Sequence, residues 1–462
     1  MDGLENAHGR VATSGVRLSE LLGALSHALD LTEGQPPGHC LRATWIGLSI
    51  GRALNLPEFQ LWELYYTVML KDLGCSSNAA RLCQLYLSDD LALKRDFKTV
   101  SDSLPRVLSF VLSHTGLKSG LAERFRAVMN IVRNGETLVD ELIETRCQRG
   151  ADIAARLRFP PAVCQGIHAL DEHWNGKGRP EHLAGPAIPL YARIALMAQI
   201  IDVFHQEGGR GAALAEIRAR SGTWFDPALV KCFEGIARCE EFWTILQSDN
   251  LEDTLFASEP ARGIIALDES YLDDIARAFA QVIDSKSPFT SGHSERVAVY
   301  ADMVAAEMGY SPDRRRWLRR AALLHDIGKL GVSNAILDKN GPLDEAEWQA
   351  MRAHATLSET ILARVAVFRD LARIGGSHHE RLDGKGYPRG LKGDEIEPET
   401  RIVSVADVFD AITADRPYRK AMPLERAFAI LQKDSGSSLD PACVAALERA
   451  VTGLEGDLSR AA

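Results

Sequence analysis

The sequence predicts an all-α protein built as two tandem helical bundles joined by a linker, and three observations carry that prediction. Apolar residues recur at helical spacing from Leu18, Leu21, Leu22 and Leu25 through to Val297, Ala301, Val304, Ala305 and Met308. Strand-like alternation between Asn-Gly or Asp-Gly turns is scarce. At 462 residues the chain is too long for one ordinary core, and its 46% hydrophobic and 25% charged residues are ordinary globular values.

Taken in order, residues 1–247 form the first helical unit, and the pattern lapses between about Ser248 and Asp268. That stretch reads Ser-Asp-Asn-Leu-Glu-Asp-Thr and later Ser-Glu-Pro-Ala-Arg-Gly, so 248–267 is predicted as a linker. The second unit occupies 268–452, with 453–462 as a tail. Within it Gly309 stops one helix and Ser311-Pro312 caps and starts the next. Asp344 and Glu347 make a capping-box pattern opening the helix that carries His354. Ile361, Leu362, Val365, Phe368, Leu371 and Ile374 form an apolar stripe leading to Ser377-His378-His379-Glu380, which places the imidazoles at or near helix ends.

The two units repeat one set of anchors. Gly38-His39 precedes Lys71-Asp72 by the same 32 residues that separate Gly292-His293 from His325-Asp326. Gly176-Lys177-Gly178-Arg179-Pro180 mirrors Gly384-Lys385-Gly386-Tyr387-Pro388, and Asp226-Pro227 mirrors Asp440-Pro441. Matching intervals at several anchors point to an internal duplication. The copies differ where chemistry would sit: His325, His354, His378, His379 and Asp407 correspond to Lys71, Arg146, Leu170, Asp171 and Gln199. The first unit also holds about 46 extra residues between Asp72 and Arg146, predicted as added helices.

Composition excludes several classes. A net charge of −10 disfavours a general nucleic-acid binder. The eight cysteines form no Cys-x-x-Cys pair and read as reduced thiols of a cytoplasmic chain. The N-terminus lacks a secretory pattern, and the most apolar run, 188–204, is broken by Arg193 and Asp202, so no membrane span is expected.

The chemistry centres on Ala322-Leu323-Leu324-His325-Asp326-Ile327-Gly328-Lys329. Apolar residues drive an imidazole and a carboxylate inward, and Lys329 is expected one helical turn after His325, on the same face. A lone buried histidine is usually structural. Five of the chain's 13 histidines within 87 residues are another matter, because a core cannot satisfy that many imidazoles with backbone partners alone. His293, His325, Asp326, His354, His378, His379 and Asp407 are therefore candidate ligands, and five imidazoles with two carboxylates suit two divalent ions bridged by Asp326. The thiolate-free set favours iron or manganese, with zinc as the third choice. Asp410 is open between a hydrogen-bond acceptor for a ligating histidine and a solvated position. Lys329, Lys385, Arg389, Lys392, Arg416, Arg419 and Lys420 form a local basic excess suited to a phosphate-bearing ligand. Arg314, Arg315, Arg316, Arg319 and Arg320 read instead as a solvated helix face.

The segments Thr290 to Val297, Leu324 to Lys329, His378 to Pro388 and Ala406 to Arg419 resemble the HD-GYP domain, a branch of the HD metal-dependent phosphohydrolases, over about 268–452. The resemblance implies hydrolysis of cyclic di-GMP to the linear dinucleotide pGpG or to GMP. It places the seven ligands on the family's metal positions, Lys329 on its phosphate-contacting lysine, and Tyr387, Arg416 and Arg419 on its substrate-contacting positions, with Asp326 and Lys329 acting in catalysis. Leu439 departs from the family's usual Phe. Some members hold a third ion through a Glu four residues before the first ligand His; here that residue is Phe289, so a binuclear site is expected, with Glu295 the one substitute nearby. The first unit resembles a degenerate copy of the same HD-type domain, with a regulatory or oligomerisation role through a second copy or a signalling protein. Two rivals stand: a non-catalytic scaffold that binds cyclic di-GMP, and an HD hydrolase of another nucleotide, against which the Gly-Tyr-Pro segment argues. The second unit is expected to keep its chemistry when isolated.

Overall fold

A computed structural model describes residues 17–98, 104–117, 120–261, 267–415 and 420–461. Among them the chain is helical throughout, with four isolated bridges and no extended strand. All eight cysteines are free. Among the described residues no helix is long and apolar enough to cross a membrane.

The predicted helix ends are present. Gly309 takes φ 80° after the His293–Glu307 helix, and Ser311 accepts from the Arg314 N–H to cap Pro312–Leu324. Asp344 and Glu347 form the reciprocal capping box of Glu345–Ala363. The apolar stripe from Ile361 to Ile374 belongs to two helices rather than one, because the chain turns at Ala366–Phe368 before Arg369–Ser377. His354 lies mid-helix, not at a helix end.

The described part of the 248–267 stretch, 248–261 and 267, is not an open linker. It contains the helix Leu251–Ala257, which buries Leu251, Leu255 and Phe256. The Phe256 ring covers Gly23 so closely that a Cβ there would lie 2.3 Å from it. Glu259 accepts from Ser19 Oγ at 2.7 Å and from Tyr66 Oη at 2.5 Å. Of the 453–462 tail, residues 453–461 continue the last helix, Pro441–Ala461.

One contiguous apolar core runs through both halves, from Leu18 to Leu447. Polar contacts cross between them as well. Asp90, fully buried, accepts from the Asn334 N–H at 2.7 Å and Ser333 Oγ at 3.1 Å, and its other oxygen is 3.5 Å from Lys286 Nζ. Lys286 also donates to the Leu330 carbonyl at 3.1 Å, and burial pulls its pKa down to about 8. An isolated second half would lose Asp90 and expose part of this core.

Both halves repeat the same local contacts. Gly38 and Gly292 sit at positive φ before His39 and His293. A Cβ on Gly74 would lie 1.9 Å from the Arg146 carbonyl, and one on Gly328 would lie 2.0 Å from the His354 carbonyl. Arg193 pairs with Asp226 at 2.7 Å as Arg401 pairs with Asp440 at 3.0 Å. Arg179-Pro180 and Tyr387-Pro388 are both cis. Because backbone rather than a flexible side chain faces Gly328, Gly328→Ala is expected to cost about 2–4 kcal/mol. Gly309→Ala, with open space around it but positive φ, should cost only about 1 kcal/mol. Thermal denaturation of the two variants checks the contrast.

Candidate metal centre and active site

The seven candidate ligands converge. Asp326, His354, His378 and His379 form one group and His293, His325 and Asp407 a second, the ligand atoms of each lying within 4.8 Å of one another. His325-Asp326 follows the last residue of Pro312–Leu324 and opens the 3-10 turn Ile327–Gly331. This corrects the expected continuous helix: Lys329 stands on that turn and donates to Asp326, its i−3 neighbour, rather than extending a face shared with His325.

Asp326 faces both groups. Its Oδ1 is 3.4 Å from His354 Nε2 and 3.5 Å from His378 Nε2, while Oδ2 is 3.3 Å from His325 Nε2 and 3.5 Å from His293 Nε2. Asp407 Oδ1 lies 3.3 Å from His293 Nε2. One carboxylate thus presents a separate oxygen to each imidazole pair.

The other ring nitrogens are committed. Nδ1 of His325 faces the Ala322 carbonyl at 2.6 Å, that of His354 the Met351 carbonyl at 2.5 Å, and that of His378 the Gly375 carbonyl at 2.8 Å. His293 Nδ1 faces Asp410 Oδ2 at 2.7 Å. A carbonyl or carboxylate can only accept, so Nδ1 carries the proton and Nε2 turns a lone pair inward. His354 Nε2 and His378 Nε2 then oppose each other at 3.4 Å with no hydrogen between them. Two lone pairs at that distance repel, and a cation relieves the repulsion. His293 Nε2, His325 Nε2 and Asp326 Oδ1 are buried without a hydrogen-bond partner. The donor set therefore fits two divalent ions.

The two groups differ electrostatically: burial opposes protonation of His293 and His325, but the carboxylates of Asp326 and Asp407 outweigh it and raise both, while His354 and His379 are lowered. Burial, the Lys329 charge and neighbouring imidazoles bring His354 down to about 3, burial being the largest cause, and burial with the imidazoles of His378 and His354 lowers His379. Burial opposes ionisation of Asp326, but Lys329 and His325 outweigh it and hold the carboxyl well below its ordinary range. Asp410 is a buried acceptor, held by His293 and by Arg296 Nε at 2.6 Å, not a solvated residue.

The site residues beyond the ligands divide. The Tyr387 ring lies 4.8 Å from that of His379, at the edge of the cluster. Arg416 and Arg419 lie outside the described residues. Arg389 is drawn into a pair with Glu359 at 2.7 Å. Arg314, Arg315, Arg316 and Arg319 are partly exposed and each pair with Glu or Asp, as a solvated face would, whereas Arg320 is buried against Asp273 and does not fit that reading. Arg352 was not singled out from sequence: its guanidinium stands 5.5 Å from the Trp348 ring and 5.7 Å from that of Tyr387. Its i,i+4 spacing from Trp348 was the available signal.

Phe289 is half-buried and Glu295 is exposed, while Asp284 is used up by Ser294, whose Oγ donates at 2.7 Å. A third acidic group exists elsewhere, Glu33, Asp72 and Cys75. It is filled with protein cations: Lys98 Nζ is 2.8 Å from Glu33, Lys71 pairs with Asp72, and Arg146 pairs with Asp171. Burial also pushes the Cys75 thiol well up, which keeps it protonated.

Comparison with known proteins gives the same assignment. The sequence profile of the HD domain matches residues 112–229 and 277–443. The chain belongs to the HD-domain family. It is 54% identical to 3'3'-cGAMP-specific phosphodiesterase 3 of Vibrio cholerae over 96% of each chain. It is 36% identical to the cyclic di-GMP phosphodiesterase response regulator RpfG of Xanthomonas campestris, over 47% of this chain and 59% of that one. A crystal structure of a cyclic GMP-AMP specific phosphodiesterase of V. cholerae superimposes with a TM-score of 0.65 at 49% identity, covering 94% of this chain and 97% of the other. The HD-domain chain is thus a metal-dependent phosphodiesterase.

His325→Ala and Asp326→Ala are each expected to remove at least one ion and to lower turnover by several orders of magnitude while far-ultraviolet circular dichroism is unchanged. Elemental analysis of iron- or manganese-loaded wild type should give two ions per chain, and Asp72→Asn should leave that number at two. A third ion lost with Asp72 would show that the lysine-filled cluster binds metal after all.

Proposed function

We propose that the chain opens a 3'3'-linked cyclic dinucleotide by phosphodiester hydrolysis, with 3'3'-cyclic GMP-AMP preferred over the cyclic di-GMP expected from sequence. One consideration supports this order: a relative named for 3'3'-cGAMP aligns over nearly the whole of both chains at 54% identity, whereas relatives named for cyclic di-GMP, such as those of Pseudomonas aeruginosa and Thermotoga maritima, align over 58% and 40% of this one at 31% and 39% identity. The observation that carries hydrolysis itself is Asp326, whose two oxygens face two separate imidazole pairs.

In this reading His354, His378, His379 and Asp326 hold one ion, and His293, His325, Asp407 and Asp326 the other, with iron or manganese ahead of zinc. When bound, such a pair supplies Lewis acidity to a phosphoryl group and lowers the pKa of water. The protein supplies the rest. Backbone carbonyls and Asp410 fix the imidazole tautomers, so no proton competes for the inward lone pairs. Lys329 keeps an ammonium against Asp326, where it offsets charge gathering on the non-bridging phosphoryl oxygens. The oxygen of water joins phosphorus as the bond to the ribose 3'-oxygen breaks, and that oxygen leaves protonated. Tyr387 and the cation of Arg352 beside it offer a face and a charge to the nucleotide at the site's edge. The first half, whose carboxylates are met by Lys71, Lys98 and Arg146, holds no ions and plays a supporting, non-catalytic role.

Anaerobically purified protein with Fe(II) or Mn(II) is expected to cleave 3'3'-cGAMP with a kcat/KM at least about tenfold above that for cyclic di-GMP, a difference of about 1.4 kcal/mol. Equal or reversed preference, read by chromatography of the products, would overturn the substrate assignment. Lys329→Ala should lower kcat by about 10²–10³-fold with metal content unchanged. Arg352→Ala should act chiefly on KM.

A further inference from the structure

The helix Asp90–Phe97 lies among the residues that the first half has in excess, and its buried residues, Asp90, Leu93 and Lys94, form one face. Lys94 Nζ holds the helix to its own half, donating to the Thr32 carbonyl at 2.9 Å and to the Cys75 carbonyl at 2.6 Å. Asp90, one turn earlier, serves the other half. Its Oδ1 accepts from the Asn334 N–H and from Ser333 Oγ, and its Oδ2 faces the Lys286 ammonium. Asp90 and Lys286 are 0% and 1% exposed, and a carboxylate and an ammonium taken that far out of water add little stability over an apolar pair of the same volume. The pair therefore calls for a role beyond packing.

Both partners of Asp90 lead to the metal centre. Lys286 Nζ donates to the Leu330 carbonyl, and Leu330 follows Lys329 in the turn Ile327–Gly331. The first half covers the next residue of that turn as well: a Cβ on Gly331 would lie 3.5 Å from Leu31 Cδ1. Asn334 Nδ2 donates to the Lys286 carbonyl and to Asp338 Oδ2, each at 2.7 Å, which ties the chain leaving the turn to the loop that precedes His293. In that loop Thr290 Oγ1 donates to the Ser287 carbonyl at 3.0 Å, and the His293 N–H donates to the Thr290 carbonyl at 2.9 Å. A 3-10 turn has poorer hydrogen bonds of its own than an α-helix, so an outside donor on one of its carbonyls has leverage over where the neighbouring side chain stands.

We propose that Asp90 is a positioning residue for the second half's chemistry, acting through Lys286 on the turn that aims Lys329. It touches neither a metal ligand nor the nucleotide. The ion pair holds Lys286 on the Leu330 carbonyl, that contact fixes the backbone beside Lys329, and Lys329 then stands where the phosphoryl oxygens gather charge. The proposal rests on the role given to Lys329 in hydrolysis. It makes the added helix of the first half part of the active centre's support, so that the catalytic turn is set from both halves.

The test is a double-mutant cycle on the full chain, with kcat and KM measured at saturating metal and below the melting transition of every variant. Asp90→Asn is expected to lower kcat by about tenfold, with KM within about twofold of wild type and metal content and circular dichroism unchanged. In a Lys329→Ala background the same substitution should lower kcat by less than about twofold, because the group it aims is gone, whereas a general loosening of the fold would multiply the two losses. Asp90→Asn combined with Lys286→Met removes both buried charges together and should show the same tenfold loss, which keeps the test open if the single variant does not fold. Wild-type kcat in folded Asp90→Asn or in the double substitution, multiplied losses in the Lys329→Ala background, or loss of an ion would each overturn the proposal. Wild-type kcat in Lys329→Ala itself is a separate result: it would remove the role of Lys329 and this proposal with it, whatever Asp90→Asn does.

Discussion

A carboxylate with 1% of its surface exposed sets the terms for the catalytic half. Removing Asp326 from water is costly unless cations or strong donors meet it; the Lys329 ammonium does so directly, and four imidazole nitrogens converge on its two oxygens with lone pairs that a metal ion would take up, so that five points of the chain meet there. Bringing those points together fixes much of the local backbone. The helix before His325 must stop at Leu324, the turn after it must pass under the His354 carbonyl, and only a residue without a Cβ fits there. The three backbone carbonyls that hold Nδ1 protons complete the arrangement, since each makes its imidazole a donor of lone pairs to the centre and of nothing else.

The first half meets the same demand by another route. Asp72 occupies the matching place after the same glycine-preceded helix, yet Lys71, Lys98 and Arg146 supply its surroundings with positive charge from the chain itself. His39 keeps its carboxylate partner, Asp202, at 2.7 Å, and Arg42 keeps the same partner at 2.6 Å, as His293 and Arg296 do with Asp410. The halves thus share the carboxylate partner of the leading histidine and differ at the residues that would touch an ion and in the helices added between Asp72 and Arg146.

Much of this was legible in the sequence because it depends on residue type and interval. The ligand set, the capping residues Ser311 and Asp344, the glycine stops and the matching anchors all follow from local chemistry. Other features depend on distant partners and left no local trace. Phe256 reads as a linker residue until the bare backbone of Gly23 is seen beneath it. Asp90 reads as a helix-start acid until Asn334 and Lys286 are seen around it. The end of the helix at Leu324 was missed because Ile327 and Leu330 continue an apolar rhythm that a 3-10 turn satisfies as well as an α-helix. The preference among cyclic dinucleotides is not legible in the sequence, because ligands to a phosphodiester's metals carry no information about its bases.

The two ways of neutralising a buried carboxylate differ in what they ask of the surroundings. Lysines arrive with translation, whereas ions must be recruited, so the charge balance of the second half follows the supply of metal and that of the first half does not. Under chelation the chain would keep one half fully compensated while the other holds Asp326 against Lys329 alone among full-time cations. Because a single core joins them, the self-sufficient half stays packed against the dependent one whether or not ions are supplied.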